Sequence, residues 1–256
     1  MKIISYNVNG IRAAFKKGLI DWLAQENADI VCLQELKANE SQIDVISLQS
    51  IGYQYNIFHS AQKAGYSGVA ILSKIAPKHV EIGCGIAKYD NEGRVIRADF
   101  EDFSVMSVYM PSGTSGEERQ QFKYEWLDDF YVYVTELQKK YPKLLIGGDY
   151  NIAHHEMDIH NPKSNKNSSG FLLPEREWLT KFFELGFVDT FRNLHPNQQE
   201  YSWWSARSNA REQNKGWRID YWAASKIVNS QISSARIISD AVHSDHCPII
   251  VELRKM

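Results

Sequence analysis

The chain has 256 residues, 43% of them hydrophobic and 23% charged, with a formal net charge of -2. That composition supports a substantial core and excludes a protein that coats nucleic acid through bulk charge, so any phosphate contact must come from a local basic face. The separated cysteines Cys32, Cys84 and Cys247 exclude a disulfide framework or a zinc spacing and read as reduced thiols of a cytoplasmic protein; no apolar run approaches the ~20 residues of a membrane span.

In chain order, Ile3-Ile4 reads as a strand that leads directly into Tyr6-Asn7-Val8-Asn9, with no signal peptide ahead of it. Leu19, Ile20, Leu23 and Ala24 form a helical stripe around Trp22. Strands follow at Ile30-Val31-Cys32-Leu33, closed by Gln34-Glu35, and at Gly68-Val69-Ala70-Ile71-Leu72. Further extended segments run from Arg94 to Phe100, after a turn at Asp90-Asn91-Glu92-Gly93, and from Val105 to Tyr109. Residues 53–109 are thus mostly strands and turns, which favours antiparallel or mixed sheets over a doubly wound parallel one.

The spacing of Phe122, Trp126, Leu127, Phe130, Val134 and Leu137 predicts a helix over Glu117–Lys140, stopping before Pro142. Leu144-Leu145-Ile146 is a strand closing in Gly147-Gly148-Asp149-Tyr150-Asn151; residues 161–170 read as a polar loop. Pro174 opens a further helix ended by Gly186, and Ile249-Ile250-Val251 is the last strand. Without a linker or a solenoid period, one domain over residues 1–256 is expected.

The chemistry gathers where strands end. Asp149 and Asn151 stand two residues apart after a buried strand, so in extended chain both face one spot. Glu35 terminates a strongly apolar strand, either as an oxygen ligand for a hard cation such as Mg²⁺ or as a charge reaching solvent. In Ser244-Asp245-His246 the acidic and imidazole side chains point apart and serve different partners. His246 is a candidate acid/base or phosphate contact, and Asp220, an isolated charge among aromatics, could orient it. Tyr109 ends another strand, where it is either packing or a donor to developing phosphate charge. Basic loop residues (Arg12, Lys16, Lys17, Lys37, Lys63, Lys163, Lys166, Arg207, Arg211, Lys215) interleave with Tyr66, Trp203, Trp204 and Trp217. Such loops suit a phosphate backbone with an unstacked sugar or base.

Eight segments in order, from Asn7-Val8-Asn9-Gly10-Ile11-Arg12 through Gly65-Tyr66-Ser67-Gly68-Val69 to Ser244-Asp245-His246-Cys247-Pro248-Ile249, resemble the exonuclease III/AP endonuclease family of DNase I-like metal-dependent phosphodiesterases. The resemblance implies an α/β fold, a four-layer αββα sandwich of two mixed, mainly antiparallel sheets with outer helices. It implies hydrolysis of DNA phosphodiesters with Mg²⁺, or Mn²⁺ as a substitute, leaving a 3′-hydroxyl. Glu35 then becomes the principal metal ligand, with Asn7 and Asp245 nearby and Asp149, Asn151 and His246 adjoining the same centre. Tyr109, Asp149, Asn151, Asp220 and His246 are the implied catalytic set. Arg12, Lys37, Gly65, Tyr66 and Ser112 are implied substrate contacts, and Trp203, Trp217 and Ile219 an apolar pocket for a base-free deoxyribose. The implied partner is double-stranded DNA, abasic or damaged at a 3′ end, met by a monomer with no obligate protein partner. Competing expectations are a mainly 3′→5′ exonuclease/3′-phosphodiesterase, a small-molecule or lipid phosphodiesterase, and a catalytically inactive damaged-DNA binding module. Asn9, Ser112 and Ser115 depart from the pattern of some members.

Overall fold

In the computed structural model, which describes residues 1–207 and 209–254, fourteen strands are assigned among the described residues. They are β1 (Lys2–Asn7), β2 (Ile30–Gln34), β3 (Tyr55–His59), β4 (Val69–Ser73), β5 (His79–Ile82), β6 (Val95–Asp99), β7 (Ser104–Tyr109), β8 (Leu144–Asp149), β9 (Phe187–Asp189), β10 (Trp203–Trp204), β11 (Gly216–Trp217), β12 (Asp220–Ser225), β13 (Ile232–Ile237) and β14 (Ile249–Leu253). One six-stranded sheet has the order β13-β14-β1-β2-β4-β3 and the other β5-β6-β7-β8-β12-β9, with β10 and β11 as a separate ribbon. Each large sheet has a single parallel pair at its centre, β1 with β2 and β7 with β8; the other neighbours are antiparallel. This is the expected mixed sandwich.

The near-continuous apolar strands follow from burial on both faces. Successive side chains leave a strand in opposite directions, so Ile3, Ile30, Cys32 and Leu145 enter the core between the sheets. Ile4, Val31 and Leu33 instead meet Leu19, Leu23 and Leu48 of the helices outside the first sheet. Val108, Ile146 and Ala223 pack under Trp126, Phe130, Trp178 and Phe182 outside the second. Three apolar layers therefore separate four layers of secondary structure.

The helix Glu117–Lys140 has its predicted bounds, and Leu173–Glu184 carries Pro174 in its first turn, where a missing N–H is harmless. One local reading changes: residues 161–170 contain the short helix Pro162–Asn165, started by a proline. The turn at Asp90–Gly93 is present, the Gly93 N–H donating to the Asp90 carbonyl at 3.0 Å where the helix Ala87–Asp90 ends.

Register aligns the chemistry. Tyr109 pairs with Asp149 across β7 and β8, and Asp149 with Asp220 across β8 and β12. Asn7 ends β1 beside Gln34, one residue before Glu35. The double glycine before Asp149 is a packing requirement. A Cβ at Gly147 would lie 2.3 Å from the Trp222 ring, and one at Gly148 would lie 1.8 Å from the Val108 carbonyl oxygen.

Candidate active site

The rim formed by the ends of β1, β2, β7 and β8 and the start of β12 carries the polar cluster. The segment before β14 returns to the same rim because β14 runs antiparallel to β1. Asn7, fully buried, ties the layers together: its Nδ2 donates to Glu35 Oε1 (3.0 Å) and Asp149 Oδ2 (2.9 Å). Its Oδ1 accepts from the Asn9 backbone N–H at 3.0 Å. That network turns the amide nitrogen, not the oxygen, toward the carboxylates, so Asn7 bridges the two as a donor.

Glu35 leaves β2 in the left-handed region (φ 51), as do Lys37 (φ 49) and Asn9 (φ 44). Such backbone is costly for residues with a Cβ and is held by its surroundings. Lys37 Nζ lies 2.7 Å from Glu35 Oε2 and also donates to Asn9 Oδ1. Burial opposes the Glu35 charge, but Lys37 and Asn7 outweigh it and hold its pKa below the usual range.

Asp149 accepts the Asn151 backbone N–H at 2.8 Å and the Asn151 Nδ2 at 3.3 Å, and Nδ2 also donates to the Met110 carbonyl at 2.9 Å. Burial, reinforced by Asp220 and Glu35, lifts the Asp149 pKa above the ordinary carboxylate range, against the pull of His246. His246 Nε2 lies 3.8 Å from Asp149 Oδ2, and its Nδ1 lies 3.0 Å from Asp220 Oδ2. Burial alone would depress the imidazole pKa; the flanking Asp220 and Asp149 carboxylates raise it instead and favour imidazolium. Ser202 Oγ donates to Asp220 at 2.6 Å and completes its orientation, a contact that sequence reasoning missed because nothing local distinguishes this serine.

Tyr109 is buried, and burial, with Glu35 and Asp149 close by, raises its pKa well above that of free phenol, so it remains a proton donor. Asp245 takes different hydrogen-bond partners from His246, as expected, while both line the same cleft. Its Oδ1 accepts from Asn9 Nδ2 (2.8 Å) and its Oδ2 from Trp203 Nε1 (3.1 Å). Glu35, Asp149 and His246 each offer a ligand atom within 4.8 Å of the others. Of these, the two carboxylates are the donors that suit a hard cation, while a protonated His246 contributes charge and hydrogen bonds.

These groups stand in a cleft of about 800 Å³, whose walls include Tyr66, Ser112, Trp203, Trp217 and Ile219. Trp203 and Trp217 pair across the β10–β11 ribbon with their rings edge to face, centroids 6.0 Å apart. Tyr66 Oη accepts from Arg94 Nη2 and Arg119 Nη2, both at 3.0 Å. The two arginines line the cleft too and were missed, Arg94 because it reads as an ordinary strand residue.

Some expected contacts lie elsewhere. Arg12 borders an adjoining recess with Lys16 and Lys37, and Gly65 is exposed on the turn beside Tyr66, outside the cleft lining. Trp204 is buried, since neighbours on a strand face opposite ways. Arg211 stacks on Trp204 at 4.7 Å and donates to the carbonyls of Ser239, Ala241 and Ser244, so it staples a loop and is not free to meet phosphate.

A model of the Endonuclease/Exonuclease/phosphatase family matches residues 4–246. An exodeoxyribonuclease of Bacillus subtilis is 46% identical over 251 residues, 97% of this chain and 98% of that protein. The DNA repair nuclease APEX1 of Danio rerio is 41% identical over 256 residues, 99% of this chain and 82% of that protein. Among solved structures, the 3′ phosphatase NExo from Neisseria, bound to a product DNA hairpin, superposes with a TM-score of 0.93 at 27% identity over 100% of both chains. An AP endonuclease from Archaeoglobus fulgidus gives 0.91 at 31% identity over 99% of both chains.

Proposed function

The chain belongs to the Endonuclease/Exonuclease/phosphatase family and is a DNA repair nuclease, a phosphodiester hydrolase of the exonuclease III/AP endonuclease type, and from that premise we propose that it incises duplex DNA 5′ to abasic sites and trims damaged 3′ ends, using Mg²⁺. The observation that carries this reading is the meeting of Glu35, Asp149 and His246 within 4.8 Å at one end of a cleft walled by Trp203 and Trp217. Hydrolytic groups and an apolar recess thus share one opening.

Glu35 and Asp149 fit a divalent cation, Mg²⁺ or Mn²⁺ in its place, which when bound supplies positive charge against the phosphodiester. The protein groups divide the remaining tasks. Asp149, held by Asn7 and Asn151, orients a water and takes its proton; proximity matters more here than unusual basicity. Asn151, whose Nδ2 already serves Asp149 and the Met110 carbonyl, holds that water through its Oδ1. His246, kept cationic by Asp220, and the Tyr109 phenol donate to phosphate oxygens as negative charge builds. Trp203, Trp217 and Ile219 enclose the base-free sugar, whose extrusion costs little because pairing and stacking are already lost. Lys37, Tyr66 and Ser112 border the backbone path. The likeness to the Neisseria 3′ phosphatase favours a second reading, in which 3′-end trimming dominates.

The test is cleavage of a duplex with one internal abasic analogue, beside a 3′-phosphate duplex and an intact recessed end, with Mg²⁺, with Mn²⁺ and with EDTA. Expected is metal-dependent incision leaving a 3′-hydroxyl. Tight binding of the abasic duplex without cleavage in Mg²⁺ would instead identify a binding module.

A further inference from the structure

Below the cleft lies an ion pair that the hydrolytic scheme does not use. Lys123, on the helix Glu117–Lys140, and Glu175, on the helix Leu173–Glu184, are each fully enclosed, with side chains 0% exposed, and meet at 2.6 Å. A buried pair of this kind is a poor stabilising device, because desolvating two charges offsets their attraction. What it touches points to another role. Lys123 Nζ donates to the backbone carbonyl of Asn151 at 2.8 Å. Glu175 Oε2 accepts the N–H groups of Gly170 (2.6 Å) and Leu172 (3.0 Å), while Oε1 accepts Gln120 Nε2 at 3.1 Å.

The two ends of the pair therefore hold two walls of one opening. Asn151 sits in left-handed backbone (φ 52) and hydrogen-bonds Asp149. Gly170 belongs to a loop lining the cleft, and its carbonyl accepts the Ala153 N–H at 2.7 Å. It is wedged between the reaction end and the sugar recess: a Cβ at Gly170 would stand 3.0 Å from the Asn151 carbonyl oxygen and 3.1 Å from the Trp217 ring.

We propose that Lys123 and Glu175 are positioning residues that fix Asn151 and the 168–170 loop relative to each other, and so set the register between the reacting phosphate and the recess that receives the sugar. This rests on the nuclease reading above. Loss of either ion should release one wall while leaving every substrate-touching side chain unsubstituted. Displacement of reacting groups by about 1 Å costs on the order of 100-fold in rate.

The variants are Glu175→Gln and Lys123→Met. In Glu175→Gln, Lys123 demands the remaining oxygen, so the new amide faces the Gly170 and Leu172 donors and frees the loop. Lys123→Met leaves the Asn151 carbonyl without its donor. Each is measured for thermal melting, for affinity to an abasic duplex in EDTA, for single-turnover kcat with Mg²⁺, and for hydrogen exchange of the Ala153, Gly170 and Leu172 amides. Expected are faster exchange at those amides and kcat lowered by on the order of 100-fold, with DNA affinity within about threefold of wild type. A folded variant that keeps kcat within about twofold of wild type, or that loses rate and affinity equally, overturns the proposal. So does failure of both variants to fold, which would make the pair a stability element. Absence of cleavage by the wild-type protein refutes the nuclease reading instead; the exchange of these amides, measured without DNA, then still decides the positioning role.

Discussion

Replacing Tyr109 by Phe isolates one oxygen atom. The backbone carbonyl of residue 109 still accepts from Arg94 Nη1 at 2.9 Å, and the ring still lies under the Arg94 guanidinium at 4.9 Å. β7 keeps its pairing with β8, and the ring remains enclosed. Stability should therefore change by no more than about 1 kcal/mol, the range of a near-isosteric change. The rate should not be spared. A neutral phenol pressed against two carboxylates, its pKa raised by burial and by Glu35 and Asp149, is poised to donate where negative charge grows. Removal of one such preorganised donor costs roughly 3 kcal/mol, or about 100- to 1,000-fold in kcat. Single-turnover cleavage of an abasic duplex at saturating protein, beside binding of the same duplex in EDTA, separates the two effects. A loss of less than about fivefold in kcat, or a loss confined to affinity, would refute the assignment of Tyr109 as a transition-state donor.

Asp149→Asn should reduce kcat by about 100- to 10,000-fold, the range for a positioned proton acceptor, while metal-free DNA binding is largely kept; equal loss of both would remove it from the chemistry. Gly148→Ala drives a methyl into the Val108 carbonyl and should destabilise by about 3 kcal/mol or more in urea unfolding, with activity lost alongside. Asp158, paired with Arg218 at 2.8 Å, is buried, which opposes its charge, yet Arg218 and the hydrogen bonds around it hold its pKa down to about 2. A carboxylate whose pKa is depressed on folding adds stability above its unfolded value of roughly 3.9, and that contribution disappears as pH falls through 2. It amounts to about 2 to 3 kcal/mol, so the stability gap between wild type and Asp158→Asn should be full at pH 6 and shrink by about that much toward pH 2; a constant gap contradicts the assignment.

The parts of the molecule that were legible in the sequence share one property: a local contrast. Asn7, Glu35 and Asp149 interrupt apolar runs at the point where a strand leaves the core, so their oddness was visible without a partner. The helix Glu117–Lys140 announced itself through Trp126, Phe130 and Val134 on one stripe. Edge strands such as β5, with most of its residues exposed, lack such contrast, and their pairing to a neighbour is decided by the sheet. Lys123 was invisible for the opposite reason. In sequence it is one more lysine on an amphipathic helix, and its counter-charge lies 52 residues away. Arg211 looked like a phosphate ligand because composition cannot reveal that three carbonyls already claim it.

The Asn7 amide grips a carboxylate from either sheet. Neither half of the sandwich owns the chemistry, so sliding one layer past the other would part Glu35 from Asp149 long before the chain came undone. Substitutions deep among Ile3, Ile30 and Leu145 are thereby exposed to selection through turnover as well as through heat tolerance. The interior of this protein is, in effect, the jig in which its cutting edge is held.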